Sequence, residues 1–174
     1  MKILMIGPQG SGKSTQAKLL AQFLQVPKIS TGDIFRKLSK ENSEEARRVK
    51  EILGQGKLVD DETTAEIVKK RLQQSDTQNG FIFDGYPRNI NQVKLFDPGF
   101  DKVIYLKTPK EELIRRLVSR SRADDTFEAI NTRLDLYFTQ TEPLLDYYRQ
   151  KSSLVEVDGM GDINQIQDEI KKFI

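Results

Sequence analysis

The sequence predicts an α/β fold, in which a parallel five-stranded sheet has helices on both faces. Short runs of strand-forming residues alternate with longer helical patterns along the chain, as in α/β proteins. The runs at 3–6, 81–83 and 103–106 are continuously apolar, as expected for strands that are buried on both faces of a parallel sheet. The length of 174 residues, with 37% hydrophobic and 31% charged residues, suits one globular domain.

The predicted elements follow one another in a regular order. The expected strands are Lys2–Ile6, Pro27–Ile29, Phe81–Phe83, Lys102–Leu106 and Leu154–Val157. The expected helices run from Gly12 to about Gln25, then in stretches that reach Gln74 and Gln150, and finally from Asp162 onward. Pro143 is expected to kink or restart the helix before it, because proline cannot donate a helical hydrogen bond.

The composition excludes several kinds of chemistry. The chain has no cysteine and no histidine, so thiol nucleophiles and imidazole acid–base catalysis are excluded, and we expect no structural zinc. A net charge of +2 is too small to predict a nucleic acid or a membrane as a partner. The first apolar run, 3–6, is too short for a signal peptide, so a cytoplasmic protein is expected. Neither a monomer nor a homo-oligomer is favoured.

A phosphate-binding loop is predicted directly after the first strand. The segment Gly7-Pro8-Gln9-Gly10-Ser11-Gly12-Lys13-Ser14 matches the P-loop pattern between a strand and a helix. Backbone N–H groups and the helix N-terminus attract phosphate, Lys13 adds a positive charge, and the Ser14 hydroxyl can bind Mg²⁺. Asp84 directly follows the third predicted strand, and its carboxylate is expected to reach the same ion directly or through water. The α/β fold is therefore expected to be P-loop NTPase-like.

A group of arginines indicates a second anion site. Arg116 and Arg120 lie four residues apart on one helical face, where like charges repel unless an anion or a carboxylate lies between them. Glu112 is spaced to pair with Arg116. Solvated helix faces explain any one arginine as well as an anion site does, but they explain the whole group poorly. Its other members are Arg36, Arg88, Arg122 and Arg133.

Four further motifs follow one another along the chain: Ser30-Thr31-Gly32-Asp33 with Arg36, Gly56-Lys57-Leu58-Val59, Asp84-Gly85-Tyr86-Pro87-Arg88 with Gln92, and Arg122-Ala123-Asp124-Asp125 with Arg133. In this order they make the chain resemble the adenylate kinase family of nucleoside monophosphate kinases over nearly its whole length. The resemblance implies a magnesium-dependent enzyme that transfers a phosphoryl group from ATP to AMP and forms two ADP.

The resemblance also implies a role for individual residues. The residues implied for ATP are Gly10, Ser11, Gly12, Lys13, Ser14, Thr15, Arg116, Arg120 and Gly161. The residues implied for AMP are Thr31, Arg36, Lys57, Leu58, Val59, Gly85, Arg88, Gln92, Arg122 and Arg133. The implied catalytic residues are Lys13, Arg88, Arg122 and Arg133, and the implied Mg²⁺ contacts, through water, come from Ser14 and Asp84.

The resemblance divides the single domain into a core, 1–29 and 60–174, and a monophosphate-binding insertion, 30–59. Most family members have a lid segment between two arginines, whereas only Ser121 separates Arg120 from Arg122 here. The lid is therefore expected to be reduced to a short connection near 120–123. Ser14 and Tyr86 replace the family's usual glycine and phenylalanine, and the chemistry of both motifs stays intact.

Two alternatives stay open. One is a related kinase that acts on UMP or CMP, which is less favoured because Thr31 and Gln92 resemble the family's adenine-facing pair. The other is a P-loop module that binds nucleotides without transferring phosphate. So many arginines exceed what holding one nucleotide requires, which favours a transferase.

Overall fold

The computed structural model describes residues 1–54, 59–120 and 126–174, and it contains the expected five-stranded parallel sheet, in the order β2-β3-β1-β4-β5. The strands are β1 (Lys2–Ile6), β2 (Lys28–Ser30), β3 (Phe81–Asp84), β4 (Lys102–Lys107) and β5 (Leu154–Asp158). The described helices are α1 (Lys13–Leu24), α2 (Thr31–Leu38), α3 (Glu44–Gly54), α4 (Asp61–Leu72), α5 (Ile90–Leu95), α6 (Lys110–Arg120), α7 (Phe127–Leu136), α8 (Pro143–Gln150) and α9 (Ile163–Lys171). This architecture confirms the predicted P-loop NTPase-like α/β fold.

Four of the strands extend one residue further toward their carboxyl ends than predicted. The additional residues, Ser30, Asp84, Lys107 and Asp158, are all polar. An apolar run marks only the part of a strand that packs beneath helices, whereas backbone pairing continues to the edge of the sheet, as in the pairs Ser30–Asp84 and Lys107–Asp158. These strand ends therefore bring polar side chains to the carboxyl edge, where parallel α/β sheets bind ligands.

The continuous apolar runs are explained by two cores, one on each face of the sheet. Leu4 and Ile6 of β1 belong to a cluster that α4, α5 and α8 cover, whereas Ile3 and Met5 belong to a cluster that α1 and α9 cover. Successive side chains of a strand point to opposite faces of the sheet. A strand that is buried on both faces therefore has apolar residues at successive positions.

Two smaller clusters lie away from the sheet. Leu113 and Leu117 of α6 pack against Ile130 and Leu134 of α7, the helix that follows position 125. Val49 of α3 and Val59 pack with Ile67 of α4 and with partly buried side chains of α2. The segment predicted as an insertion thus contributes to a small hydrophobic cluster, which Ile34 of α2 links to the core beneath α4, α5 and α8.

Pro143 restarts the helix that precedes it, as predicted. A π-helical turn, Tyr137–Thr141, follows α7, and α8 begins at Pro143. The Glu142 N–H donates to the Tyr137 carbonyl over 3.0 Å, five residues back instead of four. Among the described residues, no helix is both long enough and apolar enough to cross a bilayer.

Candidate active site

The P-loop connects β1 to α1 with the backbone geometry that its glycines permit. Gly10 and Gly12 have φ angles of 88° and 89°, in the left-handed region that disfavours side chains. A Cβ atom on Gly10 would also lie 3.1 Å from the Leu113 carbonyl oxygen. Lys13 begins α1, and its Nζ lies 3.5 Å from the Pro8 carbonyl oxygen. The loop therefore combines a helix N-terminus with a cation, which is the arrangement that binds phosphate.

Ser14 and Asp84 meet where the P-loop approaches the end of β3. The Ser14 hydroxyl donates a hydrogen bond of 2.5 Å to Asp84 Oδ2. Asp84 is only 5% exposed, and Lys28 Nζ lies 3.9 Å from its carboxylate. A hydroxyl and a carboxylate are hard oxygen donors of the kind that hold Mg²⁺ in P-loop enzymes, so these residues fit that ion.

A cleft of about 550 Å³ lies beside the P-loop. Its walls are the P-loop, the first turns of α1, Arg116 and the start of α9; the residues are Gly10, Ser11, Gly12, Thr15, Gln16, Arg116, Gly161, Asp162, Ile163, Asn164 and Ile166. The cleft brings together most of the residues predicted for ATP, although Arg116 and Gly161 lie far from the P-loop in sequence.

Arg116 is held in place from both sides of this cleft. Its Nε donates to Glu112 Oε1 over 2.6 Å, which confirms the expected pair. Its Nη2 donates to the Gly159 carbonyl over 2.9 Å, and its Nη1 lies 3.5 Å from the Gly10 carbonyl oxygen. These contacts fix a planar guanidinium against the cleft, where it can stack on an aromatic base.

A second group of predicted residues surrounds the turn after β3. Thr31 is 1% exposed, and its hydroxyl donates to the Gly85 carbonyl over 2.9 Å. Arg88 Nε donates to the same carbonyl over 3.1 Å. Gly85 has a φ of 97°, and a Cβ atom there would lie 2.7 Å from Thr31 Oγ1. A larger residue at position 85 would therefore strain the backbone and clash with the Thr31 side chain at the start of α2.

Arg88 remains charged at neutral pH. Desolvation by surrounding protein lowers the pKa of its guanidinium, although the side chain as a whole is exposed, and the nearby Asp84 carboxylate raises it. The ordinary pKa of arginine is so high that the lowered value leaves the cation intact. The turn thus offers a permanent positive charge to an anion.

The remaining predicted site residues that the structure describes lie on α2, on α7 and just before α4. Arg36 on α2 pairs with Asp33 over 2.5 Å, and both side chains are exposed. Arg133 lies half-buried on α7. Val59 is buried, and its carbonyl accepts a hydrogen bond from the Thr64 hydroxyl. Lys57, Leu58, Arg122 and the side chain of Arg120 lie outside the described residues.

The sequence did not predict the part played by Asp61, the first residue of α4. Its carboxylate accepts hydrogen bonds from the side-chain amides of Asn89, Asn91 and Gln92, with the shortest at 2.7 Å, from Gln92. The signal in the sequence was Asp60-Asp61 before a helical pattern, which predicts a helix cap and gives no indication of a partner near position 90.

Thr141 is another residue whose contact was not predicted. Its hydroxyl donates to the Arg88 carbonyl over 2.8 Å, so the π-helical turn supports the second site. A π-helical turn often marks a functional site, but it depends on backbone geometry that the local sequence does not specify.

A parallel sheet with a P-loop after its central strand, an adjoining Ser–Asp pair and a second cationic turn define a P-loop phosphotransferase. The family model described as adenylate kinase matches residues 5–153. The chain therefore belongs to the adenylate kinase family of nucleoside monophosphate kinases, as its motifs predicted.

Relatives named adenylate kinase match this chain over nearly all of its length. The protein from Bifidobacterium longum is 44% identical, with 98% of this chain and 97% of the relative covered. The protein from Trichodesmium erythraeum is 38% identical, with 100% and 97% covered. The protein from Clostridium perfringens is 36% identical, with 100% and 98% covered.

The relatives also differ from this chain in length. The alignment with the Clostridium perfringens protein spans 212 positions, whereas this chain has 174 residues. The alignment with the Bifidobacterium longum protein spans only 181. The shorter chain agrees with the reduced lid expected from the sequence.

Proposed function

We propose that this protein catalyses reversible, magnesium-dependent transfer of the γ-phosphoryl group from ATP to AMP, giving two ADP. The observation that carries this proposal is that the P-loop and the cationic turn begin at neighbouring strands. Met5 of β1 pairs in register with Asp84 of β3, and Ser14 contacts Asp84 directly. Adjacent strands lie about 4.8 Å apart, so two phosphates that are bound at these strand ends face each other at short range.

ATP is proposed to occupy the P-loop and the cleft beside it. The N–H groups of the loop and Lys13 would hold the β- and γ-phosphates, and Arg116 would lie against the adenine. Mg²⁺, held through Ser14 and Asp84, would neutralise charge on the β- and γ-phosphates when bound. Arg120 and Gly161 complete the proposed ATP site.

AMP is proposed to lie between α2, the turn after β3 and α5. Thr31, Gly85 and Gln92 would surround the nucleoside, together with backbone at 57–59, and Arg36 and Arg88 would hold the phosphate. A guanidinium binds a phosphate through two parallel hydrogen bonds, which fixes its direction as well as its position. Arg122 and Arg133 are proposed to bridge the two nucleotides.

Transfer needs no general base, because the attacking AMP oxygen is already ionised at neutral pH. Catalysis then depends on positioning the two phosphates in line and on stabilising the charge that spreads over the moving group. Lys13, Arg88, Arg122 and Arg133 are the proposed sources of that stabilisation. This mechanism agrees with a chain that has no histidine or cysteine.

The test is ADP formation from ATP with AMP, UMP or CMP as the acceptor, measured by phosphorus NMR in the presence of Mg²⁺. We expect AMP to be the fastest acceptor. Faster turnover with UMP or CMP would identify a pyrimidine nucleotide kinase instead. Tight ATP binding without ADP formation from any acceptor would identify a binding module.

A further inference from the structure

The side-chain amide of Gln92 is held at both ends. Gln92 is 4% exposed; its Oε1 accepts a hydrogen bond of 2.7 Å from the Arg88 backbone N–H, and its Nε2 donates one of 2.7 Å to Asp61 Oδ1. A backbone N–H can only donate and an ionised carboxylate can only accept. Two independent partners therefore assign the same orientation to the amide.

Asp61 is itself fixed, so it cannot turn away to suit another orientation. Its carboxylate also accepts from Asn89 Nδ2, at 3.1 and 3.2 Å, and from Asn91 Nδ2, at 2.9 Å. The backbone around it is anchored by Asp60, which caps α4 by accepting from the Thr63 N–H over 2.8 Å. The start of α4 and the start of α5 are thus joined through one carboxylate.

These bonds leave the Gln92 amide one N–H donor and one acceptor lone pair, each at a fixed position. An amide has two N–H donors and two acceptor lone pairs on its oxygen, and one of each is already used. A 6-aminopurine such as adenine presents an amino donor beside the acceptor N1, whereas a 6-oxopurine presents an oxygen acceptor beside the donor N1–H. The two base types therefore need opposite orientations of the amide.

We propose that Asp61 is a positioning residue for base specificity: by fixing the Gln92 amide, it favours 6-aminopurine monophosphates and rejects 6-oxopurine monophosphates. This inference rests on the proposed function, in which Gln92 meets the AMP base. Accepting a 6-oxopurine would require the amide to turn over. Its oxygen would then meet the Asp61 carboxylate and its NH₂ group the Arg88 N–H, and both contacts are repulsive in a buried place.

The substitution Asp61→Asn removes one of these two repulsions, since an asparagine amide can donate to the turned oxygen. The test compares kcat/KM for AMP and for inosine monophosphate (IMP), at saturating ATP, in the unaltered enzyme and in this variant. We expect the AMP-to-IMP ratio to fall by about tenfold or more, mainly through the KM values of the monophosphates. The KM for ATP should not change.

Asp60→Asn is the matched control. It alters the neighbouring carboxylate, which accepts hydrogen bonds from Thr63 and lies 3.9 Å from Arg48 Nη2, and asparagine caps a helix as well as aspartate does. This variant should keep the original AMP-to-IMP ratio. An equal fall in both variants would show a general effect of charge at the start of α4 and would overturn the proposal.

A second measurement does not depend on the variant's folding. In the unaltered, ¹⁵N-labelled protein, one Gln92 side-chain amide proton should be shifted downfield by the carboxylate and should exchange slowly with water. Both protons at the positions of an exposed glutamine would overturn the proposal. An unchanged AMP-to-IMP ratio in a folded Asp61→Asn enzyme would also overturn it. In that case the proposed function, phosphoryl transfer from ATP to AMP, would be unaffected. Failure of the unaltered enzyme to use AMP would overturn both.

Discussion

Ser14 and Asp84 lie on different elements and share a hydrogen bond of 2.5 Å between the Ser14 hydroxyl and Asp84 Oδ2. Ser14 belongs to the first turn of α1, and Asp84 is the last residue of β3, directly before the turn that contains Arg88. This contact ties the P-loop side of the site to the cationic turn. The separation of the two anion sites is consequently set by a short junction and not by a long loop.

Replacement of Lys13 by alanine should reduce phosphoryl transfer while the fold persists. The lysine charge acts on phosphate charge that develops during transfer, so we expect kcat to fall by about 10²-fold or more. ADP formation and circular dichroism are the measurements. The control is Lys18→Ala, on an exposed position of the same helix, which should retain activity. Near-normal activity of Lys13→Ala would contradict the assignment of this loop to ATP.

Replacement of Arg88 by alanine should weaken AMP binding far more than ATP binding. Water cannot replace a bidentate guanidinium at equal cost, so an increase of about tenfold to a hundredfold in the Kd for AMP is expected. Arg88→Lys keeps the positive charge but lacks the two parallel N–H donors. Its Kd for AMP should therefore lie between those of the unaltered protein and of Arg88→Ala. Calorimetric titration with each nucleotide separates the two sites. If the ATP affinity falls and the AMP affinity does not, the sites are assigned the wrong way round.

Replacement of Glu112 by glutamine should weaken the use of ATP. The carboxylate anchors Arg116 Nε at 2.6 Å, so a neutral amide there loosens one of the three contacts that hold the guanidinium against the cleft. We expect the KM for ATP to rise about threefold to tenfold and the KM for AMP to stay constant. Glu111→Gln, at the exposed neighbouring position, is the control. A matching rise in the KM for AMP would show that Glu112 acts on the whole enzyme.

Glu112 should also influence stability in acid. Hydrogen bonds from Arg115, and then from Arg116, lower the pKa of its carboxyl from 4.5 to about 2. A carboxyl whose pKa is lower in the folded state contributes stability above its unfolded pKa and loses that contribution as the pH falls through the folded value. Urea unfolding between pH 5 and pH 2 should therefore show the unaltered protein's advantage over Glu112→Gln shrinking. An advantage that stays constant over this range would refute the assignment.

The reduced lid should limit closure on the ATP side. Even a tight hairpin needs two strands and a turn, so one residue between Arg120 and Arg122 cannot form the usual segment. Distances from a label at Lys18 to labels at Ser121 and at Arg47 should be measured with and without a bisubstrate analogue. We expect the Arg47 distance to change more. Equal movement of Ser121 would reveal a functional lid.

The sequence predicted those features that depend on contiguous residues. The P-loop is one uninterrupted motif, and the apolar runs of β1, β3 and β4 mark strands that are covered on both faces. The pair of Glu112 and Arg116 follows from helical spacing alone.

Features that depend on distant contacts were not predicted. Arg116 reaches the carbonyls of Gly10 and Gly159, and carbonyl oxygens carry no mark in a sequence. Asp61 looks like a second cap residue until the fold brings Gln92 beside it. Strand ends such as Asp84 were placed one residue short, because polar residues end an apolar pattern before they end backbone pairing.

The central place of β1 in the sheet affects how the chain can fold during its synthesis. Both neighbours of β1 come much later, because β3 begins at Phe81 and β4 at Lys102. Ribosomes add about 5–20 residues per second, so roughly 4–15 s separate the synthesis of Ile6 from that of Phe81. For that time the four apolar residues at 3–6 have no strand to pair with. Nascent chains of this protein should therefore bind holdase chaperones most strongly before β3 emerges, and lose that affinity once β3 is available.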